Sequence, residues 1–124
     1  MADKGLLIYG LSDSDARICR ETLESALGEA IDVISASMRD HETVRSVLES
    51  AGDRETHTGK ETRFIMFLGF NNEEIGRALN GFPTLDSPRP IFCTLTENNL
   101  EWTISSLAEH LKEEDARMRG TDRA

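Results

Sequence analysis

The chain has 124 residues, of which 38% are hydrophobic and 30% are charged, and its formal net charge is −9. These values fit one globular domain spanning residues 1–124 that needs neither a disulfide nor a metal to fold, and they argue against a chain that is disordered throughout. The acidic balance and the lack of a basic stripe also argue against nucleic acid as a partner, because neutralising phosphates requires clustered Lys and Arg.

Cysteine usage and the N-terminal sequence both favour a cytoplasmic location. Cys19 and Cys93 are the only cysteines and neither belongs to a CxxC pair, so we expect two reduced core residues. The apolar run that follows Lys4 is too short for a signal peptide, and no stretch approaches the length of a membrane span. We therefore expect no membrane contact.

The first half of the sequence alternates between strand and helix patterns. Residues 5–9 form a continuous apolar run, which predicts a buried strand. Residues 13–27 carry apolar side chains on one helical face, which predicts a helix. A more mixed strand is predicted at 31–36 and a second helix at 41–51.

The second half repeats this order after a polar, aperiodic segment at 52–63, which we interpret as a mobile connector. Strands are predicted at 64–68 and 91–95, with a helix at 72–82 between them. The last helix is predicted to start near Asn99, and the charged tail from Glu113 onward is expected to fray.

The two halves, 5–52 and 64–111, match in order and in residue class. An offset of 59 positions aligns Gly10 with Gly69 and places strand on strand and helix on helix. Residue identity at this offset is near chance, so the argument rests on residue class. We interpret the match as an old duplication; the alternative is that any alternating α/β chain looks repetitive for physical reasons.

These patterns predict an α/β fold with three α/β/α layers and a four-stranded, mostly parallel sheet made of two βαβα repeats. The first and third strands are apolar throughout and should be central, which gives the order 2-1-3-4. We expect these central strands to run parallel. Their carboxyl ends would then flank a switch point, where open α/β sheets bind ligands.

A shared Gly-turn element follows both central strands. Gly10 and Ser12 precede the first helix, and Gly69 and Asn71 precede the third. Backbone N–H groups at these turns would hold an anion or a polar ligand. The structural interpretation is that the glycines permit the turn while Ser12 and Asn71 cap the helices. The turns also lack Lys and Arg to hold a phosphate.

The sequence contains no motif that predicts catalysis, a metal or a cofactor. Residues 58–62 resemble the end of a P-loop but have the wrong upstream spacing and precede a strand. The histidines His41, His57 and His110 form no metal-binding spacing. A catalytic group assembled only in space stays open.

Trp102 is the most informative single residue. On a continuous last helix it would point away from the apolar stripe, towards polar residues such as Ser105 and Ser106. Its counterpart at the offset of 59 is Thr43. Either the chain covers the indole itself, for example with the proline-containing loop at 83–90, or Trp102 is a docking anchor.

The segments FLGFNNEE at 67–74 and TLTENNLEWT at 94–103 resemble domain of unknown function 3783. That family has a strand ending in Gly-Phe and a Thr-x-x-Asn-Leu-x-Trp-Thr signature, which Thr96, Asn99, Leu100, Trp102 and Thr103 match. The resemblance covers 63–111, whereas the first half shares only the Gly-turn. It implies a bacterial or archaeal source and marks Asn99 and Trp102 as characteristic of the module, but it implies no activity.

Two functions follow as hypotheses. The first is a non-catalytic protein-interaction or regulatory module that binds a protein partner or itself through the last helix, with contacts at Thr96, Asn99, Trp102 and Ser106. The second is a small polar-ligand-binding or enzyme domain that acts at Gly10, Ser12, Gly69 and Asn71, where the first and third strands end.

Overall fold

The computed structural model describes residues 4–49, 57–85 and 88–122, with side chains as far as residue 117. Its elements in chain order are β1 (Lys4–Tyr9), α1 (Asp13–Leu27), β2 (Ile31–Ser35), α2 (Val44–Glu49), β3 (Phe64–Leu68), α3 (Asn72–Asn80), β4 (Ile91–Thr94), α4 (Glu97–Leu100) and α5 (Ile104–Asp122). Residues 52–56 of the predicted connector and the end of the predicted second helix lie outside the described residues.

The four strands form one open sheet in the order β2-β1-β3-β4, which confirms the predicted order and the α/β fold class. β1 and β2 are parallel, as are β3 and β4. The prediction of a parallel central pair is wrong, because β1 and β3 are antiparallel. Tyr9, at the end of β1, pairs with Phe64 at the start of β3, and Gly5 pairs with Leu68.

The chain enters β3 at the end of the sheet where β1 finishes, so β3 runs back along β1. The N–H of Lys60 donates to the Gly10 carbonyl at 2.8 Å, which holds the residues before β3 against the turn that ends β1.

Helices cover both faces of the sheet, as predicted. Side chains alternate along β1, so that Leu6 and Ile8 face one layer while Leu7 and Tyr9 face the other. α1 and α3 pack on the first face, and α2 and α5 pack on the second. Each face has its own buried apolar cluster, and together these clusters form the hydrophobic core.

The predicted helix starts at Ser12 and Asn71 are confirmed. The Ser12 hydroxyl accepts the N–H of Asp15 at 3.2 Å, and the Asn71 side chain accepts the N–H of Glu74 at 2.8 Å. The Glu74 carboxylate in turn accepts the Asn71 N–H, which completes a capping box. Both helices therefore begin where local side-chain chemistry satisfies otherwise unpaired N–H groups.

The second helix of each half differs most from the predictions. The predicted last helix is interrupted, because α4 ends at Leu100 and α5 begins at Ile104. Likewise, residues 41–43 are not helical, and α2 begins at Val44. α5 continues beyond Glu113 and runs to Asp122.

A backbone contact between the halves causes these interruptions. Thr43 and Thr103 form an antiparallel bridge. The N–H of Val44 donates to the Trp102 carbonyl at 2.9 Å, and the N–H of Ile104 donates to the Glu42 carbonyl at 2.8 Å. The carbonyls of Glu42 and Trp102 thus accept hydrogen bonds from the other half of the chain, and neither helix continues N-terminally through them.

Candidate docking site

The predicted ligand site at the two Gly-turns is divided by the antiparallel pair. Gly10 follows the end of β1 that pairs with Phe64, whereas Gly69 follows the end of β3 that pairs with Gly5. The two turns therefore lie at opposite ends of the sheet, about 17 Å apart along a five-residue strand. Ser12 and Asn71 cannot hold one small ligand together.

The Gly10 turn is covered by residues 57–62, which belong to the predicted connector. Besides the bond from Lys60 to Gly10, the N–H of His57 donates to Asp13 Oδ1 at 2.8 Å and the N–H of Thr58 donates to Ser37 Oγ at 3.0 Å. Gly10 has φ 85°, and a Cβ there would collide with the Thr62 carbonyl oxygen. The chain itself occupies the crevice in which a ligand was expected.

The polar groups at the Gly69 turn are engaged in structural contacts. Glu74, which completes the Asn71 capping box, also accepts from Lys4 Nζ at 2.8 Å. The bond from the Asn71 N–H and then the bond from Lys4 hold the pKa of Glu74 below its ordinary value, while the pKa of Lys4 is raised chiefly by its bond to Glu74. The side chains of Asn71 and Glu74 thus serve to start α3, and Glu74 also forms an ion pair with Lys4.

Thr96 and Asn99 form a second capping box, at the start of α4. The Thr96 hydroxyl accepts the Asn99 N–H at 3.1 Å, and the Asn99 side-chain oxygen accepts the Thr96 N–H at 2.8 Å. The Asn99 amide also donates to the Thr94 carbonyl at 3.0 Å, and this side chain is buried. Asn99 therefore shapes the turn that precedes Trp102 and presents no free amide to a partner.

Trp102 lies in the turn between α4 and α5, not on a helix as predicted. Its N–H donates to the Asn99 carbonyl at 3.2 Å, and its carbonyl accepts from Val44. Next to it, Glu101 forms an exposed ion pair with Arg45 Nη2 at 2.5 Å. Since Ile104 donates to Glu42 as Val44 donates to Trp102, the counterpart of Trp102 in the first half is Glu42, not Thr43.

The start of α5 has its backbone donors fully used. Ser105 donates to the Asp40 carbonyl at 3.0 Å, Ser106 to the Thr103 hydroxyl at 3.2 Å and Leu107 to the Thr103 carbonyl at 3.0 Å, in addition to the bond from Ile104. An anion at a helix N-terminus needs unpaired N–H groups. Because its first N–H groups are already bonded, this end of α5 is not an anion site.

The indole of Trp102 is half-buried. It packs against the apolar cluster on the α2 and α5 face, and its ring centroid lies 4.7 Å from that of His110 with the planes tilted by 55°. Of the described residues in the proline-containing loop, Leu85 packs on the opposite face of the sheet, so this side chain does not cover the indole. The indole therefore stays partly open to solvent beside α5.

An open hollow of about 320 Å³ lies along α5 next to this ring pair. Among the described residues, Ser105, Ser106, Glu109, His110 and Glu113 line it. Two of these five side chains, Glu109 and Glu113, are carboxylates. His110 Nε2 lies 3.2 Å from Glu114 Oε1, one turn further along α5.

Among the residues that the structure describes, no group of three or more His, Cys, Asp and Glu side chains is arranged to hold a metal ion. No helix in the described part of the chain has the length and apolar character to cross a membrane.

Sequence reasoning missed His110 as a partner of Trp102 and missed Asp40. The Tyr9 hydroxyl donates to Asp40 Oδ2 at 3.0 Å, and burial followed by this bond raises the pKa of Tyr9 to about 12. Asp40 therefore connects the core to the start of α5. The spacing of Ser106, His110 and Glu114 at i, i+4 and i+8 was the available signal for the His110 face.

Comparison with known families places a match on the second half of the chain. Residues 63–118 match the family model described as domain of unknown function 3783, which confirms the predicted resemblance. The matched segment runs from β3 into α5 and includes Trp102, His110 and the described residues that line the hollow. No curated protein and no solved structure matches the chain.

Proposed function

We infer that the protein is a non-catalytic interaction module that binds a protein partner through the face formed by Trp102, His110 and the hollow along α5. The observation that carries this proposal is the half-buried Trp102, which packs on His110 beside an open hollow. A tryptophan in such a position supplies a large contact area with little loss of conformational freedom on binding.

The rigidity of this face supports the proposal. Both backbone groups of Trp102 are bonded, and the first amides of α5 are paired with Asp40, Glu42 and Thr103. A docking surface that is already ordered loses little entropy when its partner arrives. The first half has Glu42 where the second has Trp102, so this surface exists on one half only.

The competing hypothesis of a small-ligand or enzyme domain at the strand ends loses its geometric basis. Gly10 and Gly69 lie at opposite ends of the sheet, and backbone and capping contacts engage both turns. We also propose that the two halves arose by an internal duplication. The symmetric pairing of β1 with β3 supports this. Leu7 and Met66, which are 59 positions apart, face each other at the middle of the paired strands.

Site-specific photocrosslinking tests the proposed face. A benzophenone amino acid replaces Ser106, which is exposed beside the hollow, and in a matched control it replaces Ser14, which is exposed on α1 across the sheet. After irradiation in lysate of the source organism, we expect a discrete adduct at position 106 that is lost with Trp102→Ala. Light scattering distinguishes a partner from a second copy of the chain.

Because Trp102 also packs on the core, Glu109→Arg provides a second test at an exposed position that lines the hollow. Circular dichroism confirms that each variant is folded before crosslinking. Adducts that are the same at positions 14 and 106, or that persist at full yield in Glu109→Arg and in folded Trp102→Ala, would overturn the proposed function.

A further inference from the structure

We propose that β3 and the turn at Thr103 form a self-pairing surface, through which the second half of the chain binds a second copy of itself. In the intact chain the first half fills this place, and cutting the connector between the halves makes it available. This inference goes beyond the function proposed for the Trp102 face and does not depend on it.

The central strands pair in a register that reads the same from either half. Leu7 faces Met66, which lies 59 positions further along the chain. The flanking pairs are Leu6 with Phe67 and Ile8 with Ile65. A shift of 59 positions turns each flanking pair into the other, so the two halves make the same contacts in reverse. This reciprocity is the property of a twofold interface, in which one surface meets its own copy.

The turns before α2 and α5 show the same reciprocity at a second place. Thr43 and Thr103 face each other in the antiparallel bridge. The residue after each threonine donates its N–H to the carbonyl of the residue before the other threonine, at 2.9 and 2.8 Å. Equivalent residues of the two halves thus meet at two separate places, as they do between the subunits of a symmetric dimer.

The second half has a physical reason to take a partner along β3. The segment that matches the family model, 63–118, is less than half of the chain, and a single hydrophobic core is marginal at that size. Without β1, the N–H and C=O groups on one side of β3 would be unpaired. An open strand edge of this kind is a template for pairing with another chain.

The side chains of β3 suit pairing with a second copy. In the symmetric register Met66 would face Met66 of the other copy, with Ile65 opposite Phe67 and Phe64 opposite Leu68. Ile65 and Phe67 lie on one face of the sheet, and the other three residues lie on the opposite face. Both faces of the new strand pair would therefore remain apolar, as both faces of the present pair are.

Cleavage of the full-length protein tests this inference. A protease recognition sequence is inserted after Gly52, in the predicted connector, and both halves stay in solution after cleavage. We expect unchanged circular dichroism and, in native mass spectrometry, a complex of one first half with one second half. After unfolding in urea and dilution, a species that contains two second halves should appear beside that complex.

Thr103→Cys locates the contact in this species. In a pair of second halves the two introduced thiols face each other across the bridge, so mild oxidation should link two second halves in the cleaved and refolded sample. The same variant left uncleaved is the matched control, because position 103 then faces Thr43. Cleaved wild type controls for the native cysteines.

Three results would overturn the self-pairing surface. The first is separation of the two halves on cleavage, and the second is a refolded wild-type sample that contains only the one-to-one complex. The third is a pair of second halves that Thr103→Cys does not crosslink, because such a pair would use another surface. Photocrosslinking at position 106 tests the function of the Trp102 face separately, so either proposal can fail without the other.

Discussion

Thr43 and Thr103 face each other in an antiparallel bridge, and each caps the helix that follows it. The Thr43 hydroxyl accepts the N–H of Ser46 at 3.1 Å, and the Thr103 hydroxyl accepts the N–H of Ser106 at 3.2 Å. Equivalent residues of the two halves are thus 60 positions apart at this bridge and 59 positions apart at Leu7 and Met66 in the central strands. Through this contact the first half fixes Trp102 in place.

The threonine bridge predicts matched losses of stability. Thr43→Val and Thr103→Val keep the side-chain shape but remove the hydroxyl that caps α2 or α5. We expect each to lower the free energy of unfolding by about 1 kcal/mol. Urea denaturation followed by circular dichroism measures this. Thr84→Val, at an exposed position between α3 and β4, is the control and should change stability by less than about 0.5 kcal/mol. Equal effects at all three positions would contradict the capping role.

The antiparallel central pair predicts a specific crosslink. A Cβ built on Gly5 lies 3.8 Å from the Leu68 Cβ, which is the usual separation in a disulfide. The double variant Gly5→Cys/Leu68→Cys should therefore form an intramolecular disulfide on mild oxidation, visible as a faster-migrating band without reductant. Each single cysteine variant is the control. If β1 and β3 were parallel, Gly5 would lie near the start of β3 and this pair would not crosslink.

Two glycines with positive φ should tolerate alanine differently. Gly28 ends α1 at φ 70°, and a Cβ there meets no atom within 4 Å. Gly28→Ala should lower the free energy of unfolding by about 1 kcal/mol, because alanine is strained in the left-handed conformation but meets no neighbouring atom. Gly10→Ala adds a collision with the backbone of Thr62 and Arg63, so we expect a further loss of about 1–3 kcal/mol. Thermal or urea unfolding compares the two, and similar losses would show that residues 57–63 do not pack over the turn.

The Lys4–Glu74 pair predicts a pH-dependent contribution to stability. Because the pKa of Glu74 is lowered in the folded protein, its contribution is present above the ordinary value of 4.5 and is lost as the pH falls through the lowered pKa. Glu74→Gln keeps a side chain that completes a capping box but removes the charge. Its melting temperature should be below that of the wild type at pH 7, and the difference should shrink towards pH 3.

Glu73→Gln is the control for the pH experiment, since Glu73 pairs with Arg77 at 2.7 Å on the exposed side of α3. An exposed ion pair contributes little, so this variant should melt close to the wild type. A Glu74→Gln difference that stayed constant from pH 7 to pH 3 would contradict the assignment of the effect to the Glu74 charge.

The candidate site was only partly predictable. The pattern identified Trp102 as unusual and placed it near Ser106, and both lie beside the hollow. It could not show that His110 packs on Trp102, because the interruption at residues 101–103 changes the angle at which the two side chains meet. The predicted roles of Gly10 and Gly69 in one shared site depended on a strand direction that residue patterns do not encode.

The sequence by itself determined where the elements form. Apolar runs marked β1 and β3, and local capping groups such as Ser12 and Asn71 marked the helix starts, because these signals act between residues close in the chain. Only the tertiary structure decided the direction of β3, the interruption before α5 and the exposure of Trp102. Each of these depends on backbone bonds between residues about 60 positions apart, such as Thr43 and Thr103, and only folding brings such residues together.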